Sequence, residues 1–180
     1  MQKIYTKKPL VLIGLMGAGK TTIGVHLAHK IHLPFLDSDR LIEDLAGVTI
    51  PEIFERDGEE FFRKVESKTI RKYLKKEEAF VMATGGGAFM DEQVRTSIKK
   101  NAISIWLRAE LEILLARVEQ NKTRPLLNDV DKKQVLQDLM EKRYPIYSQA
   151  DIIVDTDSNS RTIIVNEIIR QIEIFGQKNK

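Results

Sequence analysis

The amino-acid sequence predicts an α/β fold in which helices cover both faces of a parallel β-sheet. Short apolar runs alternate with longer amphipathic segments along the chain, a rhythm that is typical of parallel α/β proteins. Four of the five strand candidates are near-continuous apolar runs, as expected for strands buried on both faces. The length of 180 residues and the hydrophobic content of 42% suffice for one sizeable core. We therefore expect residues 1–180 to form a single domain.

The elements follow one another in a regular order. The strand candidates are Leu10–Ile13, Pro34–Asp37, Ala79–Thr84, Ala102–Leu107 and Asp151–Asp155. The helix candidates are Lys20–Ile31, Arg40–Leu45, Ile50–Arg56, Glu59–Lys76, Asp91–Lys99, Ala109–Gln120, Lys132–Gln149 and Arg161–Phe175, assigned from apolar spacings of three and four residues. Right-handed crossovers gather the functional loops of such a sheet at the carboxyl ends of its strands. The polar motifs of this sequence fall at those ends.

Composition excludes several classes of function. The 29 basic and 26 acidic residues are interspersed, and the net charge is only +3, so we expect no nucleic-acid partner; the bias suits an enzyme with anionic substrates. The absence of cysteine excludes disulfides and thiolate metal sites, and it fits a cytoplasmic protein. The apolar run after the basic Met1–Pro9 segment is too short for a signal peptide or a membrane span.

The most specific motif is Gly-Leu-Met-Gly-Ala-Gly-Lys-Thr at residues 14–21, which matches the G-x-x-x-x-G-K-[ST] phosphate-binding loop. It lies between the predicted strand Leu10–Ile13 and the predicted helix Lys20–Ile31. Glycines let backbone N–H groups approach a phosphate, and the helix dipole adds positive potential. Lys20 can reach the β- and γ-phosphates, and the Thr21 hydroxyl can ligate Mg²⁺. The motif predicts binding of a nucleoside triphosphate.

Two carboxylates follow the second predicted strand, at Asp37 and Asp39. Strand side chains alternate, so both should point the same way while Ser38 points away. One carboxylate can lie near Mg²⁺ and the nucleophile while the other binds a substrate hydroxyl. The alternative is that Asp39 only caps the helix predicted from Arg40.

Three consecutive glycines, Gly85-Gly86-Gly87, follow Thr84 at the end of the third predicted strand. Such a run costs backbone entropy, so we expect it to serve the close approach of a ligand to bare backbone. The alternative is a loose turn.

Three arginines are further candidates for anion binding. Arg63 lies three residues before Glu66 on a helix and can form a held fork for a carboxylate, the alternative being an exposed surface pair. Arg124 lies in the segment 121–130, which reads as a lid loop near the phosphates. Arg117 can stack on adenine, or it is an ordinary surface arginine.

Jointly these motifs closely resemble those of the shikimate kinase family. The matching segments are residues 14–21, Asp-Ser-Asp at 37–39, Phe-Arg-Lys-Val-Glu at 62–66, Thr-Gly-Gly-Gly at 84–87, Thr-Arg-Pro-Leu-Leu at 123–127, and Arg143 four residues before Tyr147. The resemblance implies a P-loop fold like that of nucleoside-monophosphate kinases, with three layers, a five-stranded parallel sheet in the order 2-3-1-4-5 and a mobile lid. It also implies transfer of the ATP γ-phosphate to the 3-hydroxyl of shikimate, a step toward chorismate and the aromatic amino acids.

The resemblance also implies a role for each matching residue. The ATP-binding residues would be Gly17, Ala18, Gly19, Lys20, Thr21, Thr22, Arg117 and Arg124. The shikimate-binding residues would be Asp39, Arg63, Gly86, Gly87 and Arg143, with Glu66 orienting Arg63. Thr21 and Asp37 would hold Mg²⁺, and the catalytic residues would be Lys20, Asp37 and Arg124, with Asp37 acting either as a base or by positioning. The single kinase domain, a monomer, would bind its substrate through about residues 37–66 and close a lid of about residues 121–130.

Two other functions remain open at this point. One is another small-molecule kinase of the same fold, acting on gluconate or a nucleoside monophosphate; Asp39 and the two arginines argue against it. The other is a nucleotide-binding protein without catalysis that acts through a partner. No chemically required group is absent from the sequence, which argues against this second function.

Overall fold

Five parallel strands form one sheet in a computed structural model, which describes residues 6–120, 131–157 and 160–178. The strands are β1 (Leu10–Ile13), β2 (Phe35–Asp37), β3 (Val81–Ala83), β4 (Ile103–Arg108) and β5 (Ile152–Asp155). Their order in the sheet is β2-β3-β1-β4-β5. This order confirms the one that the family resemblance implied.

Strand β1 occupies the centre of the sheet because its residues are apolar on both faces. Leu10 pairs in register with Val81 of β3 and with Ile103 of β4. Every residue of β1 and β3 is buried, so both faces of these strands are covered. Burying one such aliphatic side chain contributes about 1.5–3 kcal/mol, and the loop after β1 therefore starts from a rigid support.

Seven helices lie between and after the strands within the described residues. They are α1 (Lys20–Ile31), α2 (Ser38–Ala46), α3 (Ile50–Tyr73), α4 (Glu92–Asn101), α5 (Leu111–Gln120), α6 (Lys132–Tyr147) and α7 (Arg161–Lys178), and a single 3₁₀ turn covers Ala88–Met90. No helix in this part of the chain combines the length and apolar character needed to cross a membrane. The prediction that residues 1–180 form one domain stays a prediction.

Helix α3 consists of two helical stretches that meet at Gly58, in agreement with the expectation of two helices, Ile50–Arg56 and Glu59–Lys76. The first stretch begins with a capping box in which Thr49 accepts a hydrogen bond from the backbone of Glu52 and the Glu52 carboxylate accepts one from the Thr49 N–H. Gly58 separates the two stretches, because its φ of 82° and ψ of 170° are not helical. A small cluster of Ile42, Ile53 and Phe62 joins α3 to α2.

The loops that follow β1, β2 and β3 leave the sheet at the same edge because the three strands are parallel neighbours. The phosphate-loop motif follows β1, Asp37 ends β2, and the three glycines follow β3. The sheet therefore brings together three motifs that lie far apart in the sequence.

Candidate active site

The phosphate loop has the backbone that its glycines allow. Gly17 and Gly19 adopt φ values of 81° and 88°, a region that other residues rarely enter. Gly19 is the N-cap of α1 and provides no side-chain cap, so the first N–H groups of that helix face the loop. The Lys20 ammonium donates to the carbonyls of Gly14 and Leu15, at 2.8 and 3.0 Å. This geometry suits a phosphate held between backbone N–H groups and an ammonium.

The remaining loop residues divide between packing and exposure. Ala18 is buried, whereas Thr21 and Thr22 are exposed in the first turn of α1. The Thr21 hydroxyl donates to Oδ2 of Asp37 at 3.0 Å. The helix after the phosphate loop and the end of β2 are therefore connected directly through the two proposed Mg²⁺ ligands.

The geometry of Asp37 and Asp39 corrects the strand-alternation argument. Strand β2 ends at Asp37, and Asp39 lies in the first turn of α2. The alternative that Asp39 caps the helix is also wrong, because Asp37 is the N-cap and its Oδ1 accepts from the Asp39 N–H at 3.1 Å. The two carboxylates are nevertheless neighbours. Burial, and then the charge of Asp37, raise the pKa of Asp39.

Arg63 forms the held fork that its pairing with Glu66 suggested, and it is partly buried. Its Nη1 donates to Oε2 of Glu66 at 2.7 Å, and its Nε and Nη2 donate to Glu59 at 3.3 and 3.2 Å. Glu66 is only 2% exposed, so the alternative of an exposed surface pair is wrong. Burial raises the pKa of Glu66 against the opposing effect of Arg63. Among the described residues, nothing donates to the buried Oε1 of Glu66.

The three glycines after β3 provide space for side chains of the site. A Cβ on Gly85 would lie 2.4 Å from Oε1 of Glu66, and a Cβ on Gly87 would lie 2.6 Å from Nη1 of Arg63. A Cβ on Gly86 would approach Nη1 of Arg143 to 3.1 Å. The sequence predicted that a ligand closely approaches this backbone. In the structure, side chains of the site itself also approach it closely.

Sequence reasoning missed two side chains that hold this glycine segment. Ser38, expected to point away, is completely buried, and its Oγ accepts from the Gly85 N–H at 3.1 Å. The Tyr147 hydroxyl, also buried, donates to the Gly86 carbonyl. The available signals were the position of Ser38 between two aspartates and the four-residue spacing from Arg143 to Tyr147, which places both on one helix face.

Arg117 lies at the border between the phosphate loop and the end of β5. Its Nη2 donates to the Thr156 carbonyl at 2.5 Å, and its Nη1 lies 3.5 Å from the Gly17 carbonyl. The guanidinium is half-buried and held in place, so it is not an ordinary surface arginine. Thr156 is completely buried. Arg124 and the proposed lid, residues 121–130, lie outside the described residues.

The oxygen atoms of Thr21 and Asp37 fit Mg²⁺. This cation prefers hard oxygen ligands and usually binds through one or two protein groups together with phosphates and water. Across residues 6–120, 131–157 and 160–178 there is no cluster of three or more histidine or acidic side chains that could hold a metal by itself.

A cavity of about 330 Å³ is bounded by Arg63, Glu66, Gly87 and Arg143, with Glu59 and Asp91 also on its wall. Its volume suits a small-molecule ligand. The two guanidinium groups can bind a carboxylate in a bidentate manner, and the acidic side chains can accept hydrogen bonds from hydroxyl groups. The cavity is therefore a second candidate site, for a small ligand that carries an anionic group.

The fold and these two sites define a P-loop phosphotransferase that acts on a small anionic acceptor. A family model described as shikimate kinase matches residues 16–173. The chain belongs to the shikimate kinase family.

Relatives and solved structures agree with this assignment. A shikimate kinase from Bartonella quintana is 46% identical over 94% of this chain and 80% of its own length. One from Brucella canis is 39% identical over 100% of this chain and 90% of its own. The structure of shikimate kinase from Acinetobacter baumannii in complex with shikimate has a TM-score of 0.88 and 37% identity, with 98% of each chain covered. A gluconokinase from Sinorhizobium meliloti, at a TM-score of 0.66 and 16% identity, shares the fold alone.

Proposed function

We propose that this chain transfers the γ-phosphate of ATP to the 3-hydroxyl of shikimate, giving shikimate 3-phosphate and ADP. Membership of the shikimate kinase family supports an ATP-dependent kinase. The choice of acceptor rests on one observation. The guanidinium groups of Arg63 and Arg143 both lie against the segment Gly85–Gly87, close to the Asp39 carboxylate. The reaction would serve the synthesis of chorismate and the aromatic amino acids.

Shikimate is a small triol with one carboxylate, so its recognition requires fixed cations and hydroxyl acceptors. Arg63 and Arg143 would bind the carboxylate through their guanidinium groups. The Arg63 guanidinium is a fixed cation because it is paired with Glu66 at 2.7 Å. Asp39 and the backbone of Gly86 and Gly87 would bind ring hydroxyls. An acceptor held by groups of this kind loses little freedom at the moment of reaction, which lowers the barrier.

Phosphoryl transfer depends chiefly on positioning and electrostatic stabilisation. The backbone of Gly17, Ala18 and Gly19, together with Lys20, Thr21 and Thr22, would hold the phosphates. Mg²⁺, when bound near Thr21 and Asp37, would neutralise charge on the β- and γ-phosphate oxygens. The Asp37 carboxylate already accepts from the Thr21 hydroxyl and from the Asp39 N–H, which favours a positioning role toward the acceptor hydroxyl over that of a free base.

Four parts of the proposal rest on the family resemblance and composition. Arg124 would contact the γ-phosphate from a lid of residues 121–130, and Arg117 would face adenine. Protease protection of residues 121–130 when both substrates are added would test the lid; unchanged cleavage would contradict it. We further propose a monomer, to be tested by light scattering, and a cytoplasmic location, in keeping with the absence of cysteine.

The decisive experiment is ATP consumption with Mg²⁺ in parallel reactions that contain shikimate, gluconate, AMP or no acceptor. We expect strong turnover with shikimate alone. Turnover with gluconate or AMP instead would retain the phosphate loop and overturn the assignment of the two arginines. ATP binding without turnover of any acceptor would indicate the non-catalytic function.

A further inference from the structure

The segment Gly85–Gly87 is held from two sides by side chains to which no role in substrate binding was assigned above. On one side, the Ser38 hydroxyl accepts the Gly85 N–H at 3.1 Å. On the other side, the Tyr147 hydroxyl of α6 donates to the Gly86 carbonyl. Both residues are completely buried, so water does not readily replace either bond if it is lost.

The position of this segment determines where the substrate-binding side chains can lie. The ideal Cβ position of Gly86 lies 3.1 Å from Nη1 of Arg143, and that of Gly87 lies 2.6 Å from Nη1 of Arg63. Both guanidinium groups thus occupy space that only bare backbone leaves free. A side chain at either position would require the guanidinium group beside it to move.

The two hydroxyl groups also contact the substrate-binding side chains themselves. The Ser38 hydroxyl donates a long hydrogen bond of 3.5 Å to Oδ1 of Asp39. The Tyr147 hydroxyl lies against Arg143, whose charge opposes the increase in the tyrosine pKa that burial causes. Each hydroxyl therefore connects the glycine backbone to one group proposed to bind shikimate.

We propose that Ser38 and Tyr147 are positioning residues that hold the Gly85–Gly87 backbone, and through it Asp39, Arg63 and Arg143, in the geometry that binds the acceptor. Neither touches the acceptor. The inference rests on the proposed function, because the acceptor it concerns is shikimate. Its signature is a loss of acceptor affinity with little change in ATP affinity.

The test uses Ser38→Ala and Tyr147→Phe in the full-length protein, each of which removes one oxygen atom. We expect the KM for shikimate to rise about three- to tenfold in each variant, the effect of losing one buried hydrogen bond. The KM for ATP should stay within about twofold, because the phosphate loop keeps its own contacts. Ser38→Thr, which retains the hydroxyl, should restore most of the affinity for shikimate.

The chain offers a matched control for each variant. Ser104 is also a buried serine, and its hydroxyl donates to Asp151 at 2.7 Å and accepts from the Asp151 N–H at 2.9 Å. It lies near the amino end of β4, at the edge of the sheet opposite the site. Tyr144 lies on the same helix as Tyr147 and donates to the Ala109 carbonyl at 2.6 Å. Ser104→Ala and Tyr144→Phe should lower the melting temperature without raising the KM for shikimate.

Ser38→Ala and Tyr147→Phe would overturn the inference if they lowered only the melting temperature, as the controls do. An equal rise of both KM values would also overturn it. If Ser38→Ala does not fold, Tyr147→Phe decides alone, since it removes the other contact. Failure of the proposed function is distinguishable, because the wild-type protein would then show no turnover of shikimate.

Discussion

The Arg63 guanidinium and the Glu66 carboxylate form a 2.7 Å ion pair in which the two side chains differ sharply in exposure, 35% for the arginine and 3% for the glutamate. The glutamate is therefore the fixed partner, and the arginine is the one that can reach a ligand. Breaking a buried pair leaves an uncompensated charge, so this arrangement keeps the guanidinium in one orientation even before an acceptor binds.

Arg63→Ala should weaken acceptor binding selectively. A charge-assisted hydrogen bond contributes about 1.5–3 kcal/mol, so the KM for shikimate should rise about 10- to 100-fold. The affinity for ATP, measured by titration calorimetry, should remain unchanged, because Arg63 has no contact with the phosphate loop among its recorded hydrogen bonds and ion pairs.

Lys64→Ala is the matched control for Arg63→Ala. Lys64 is the next residue on the same helix, and its ion pair with Glu60 is exposed, at 73% and 85% for the two side chains. Such a pair contributes little, so this variant should keep both affinities. Equal loss of ATP and shikimate binding in Arg63→Ala would contradict the carboxylate-binding role.

Asp39→Asn should stabilise the protein at neutral pH while reducing its activity. Burial and the nearby Asp37 raise the pKa of Asp39, so the folded state holds this proton more tightly than the unfolded chain does. The resulting stabilisation is complete below about pH 4, the ordinary value, and is lost as the pH rises through the raised pKa. Asparagine does not titrate and avoids that loss.

Urea unfolding at pH 4 and pH 7 provides the measurement for Asp39→Asn. Relative to the wild type, the variant should have a larger free energy of unfolding, and so be more stable, at pH 7 than at pH 4. Asp44→Asn removes an exposed carboxylate from the same helix and serves as the control for the loss of one negative charge. A relative stability of Asp39→Asn that falls toward pH 7 would show that the cause assigned to the pKa shift is wrong.

The central strands were predictable because they are short apolar runs that are buried on both faces, whereas β2 is half-buried and β5 alternates between buried and exposed residues. β1 was predicted at Leu10–Ile13 and lies there, since a run that is apolar on both faces belongs at the centre of a covered sheet. Helix α1 likewise begins and ends where its motif and apolar spacing indicated. The order of the strands came from the family resemblance, because apolar runs alone do not determine which strands are neighbours.

The details of the site were less predictable because they depend on contacts between distant segments. Asp37 caps α2, so Asp39 lies in the first turn of that helix and not at the end of the strand as the sequence predicted. The contact of Ser38 with Gly85 joins residues 47 positions apart, and no local pattern reveals such a bond.

Gly24→Ala should destabilise the protein although alanine is the better helix former. A Cβ on Gly24 would lie 2.5 Å from the Phe35 ring and 3.1 Å from Leu12, both on strands beneath α1. Overpacking of this kind costs about 1–3 kcal/mol, which exceeds the gain of up to about 1 kcal/mol in helix propensity. The melting temperature should therefore fall.

Gly176→Ala makes the same chemical change on α7, where a Cβ would meet nothing within 4 Å. This control should leave the melting temperature equal or slightly higher, because only the gain in helix propensity remains. A Gly24→Ala variant as stable as Gly176→Ala would mean that Phe35 moves aside at no cost, contrary to the close packing of α1 on the sheet.

Gly87→Ala should separate binding from folding. A Cβ there would meet the Arg63 guanidinium at 2.6–2.9 Å, and the end of a flexible side chain can move away at little cost to the fold. The melting temperature should hence change by only a few degrees, while the KM for shikimate rises about tenfold or more as the displaced fork loses a charge-assisted hydrogen bond. Gly87→Ala combined with Arg63→Ala should have little further effect on KM, since both act on the same contact. Fully additive losses in the double variant would instead show that Gly87 contributes to the acceptor site independently of Arg63.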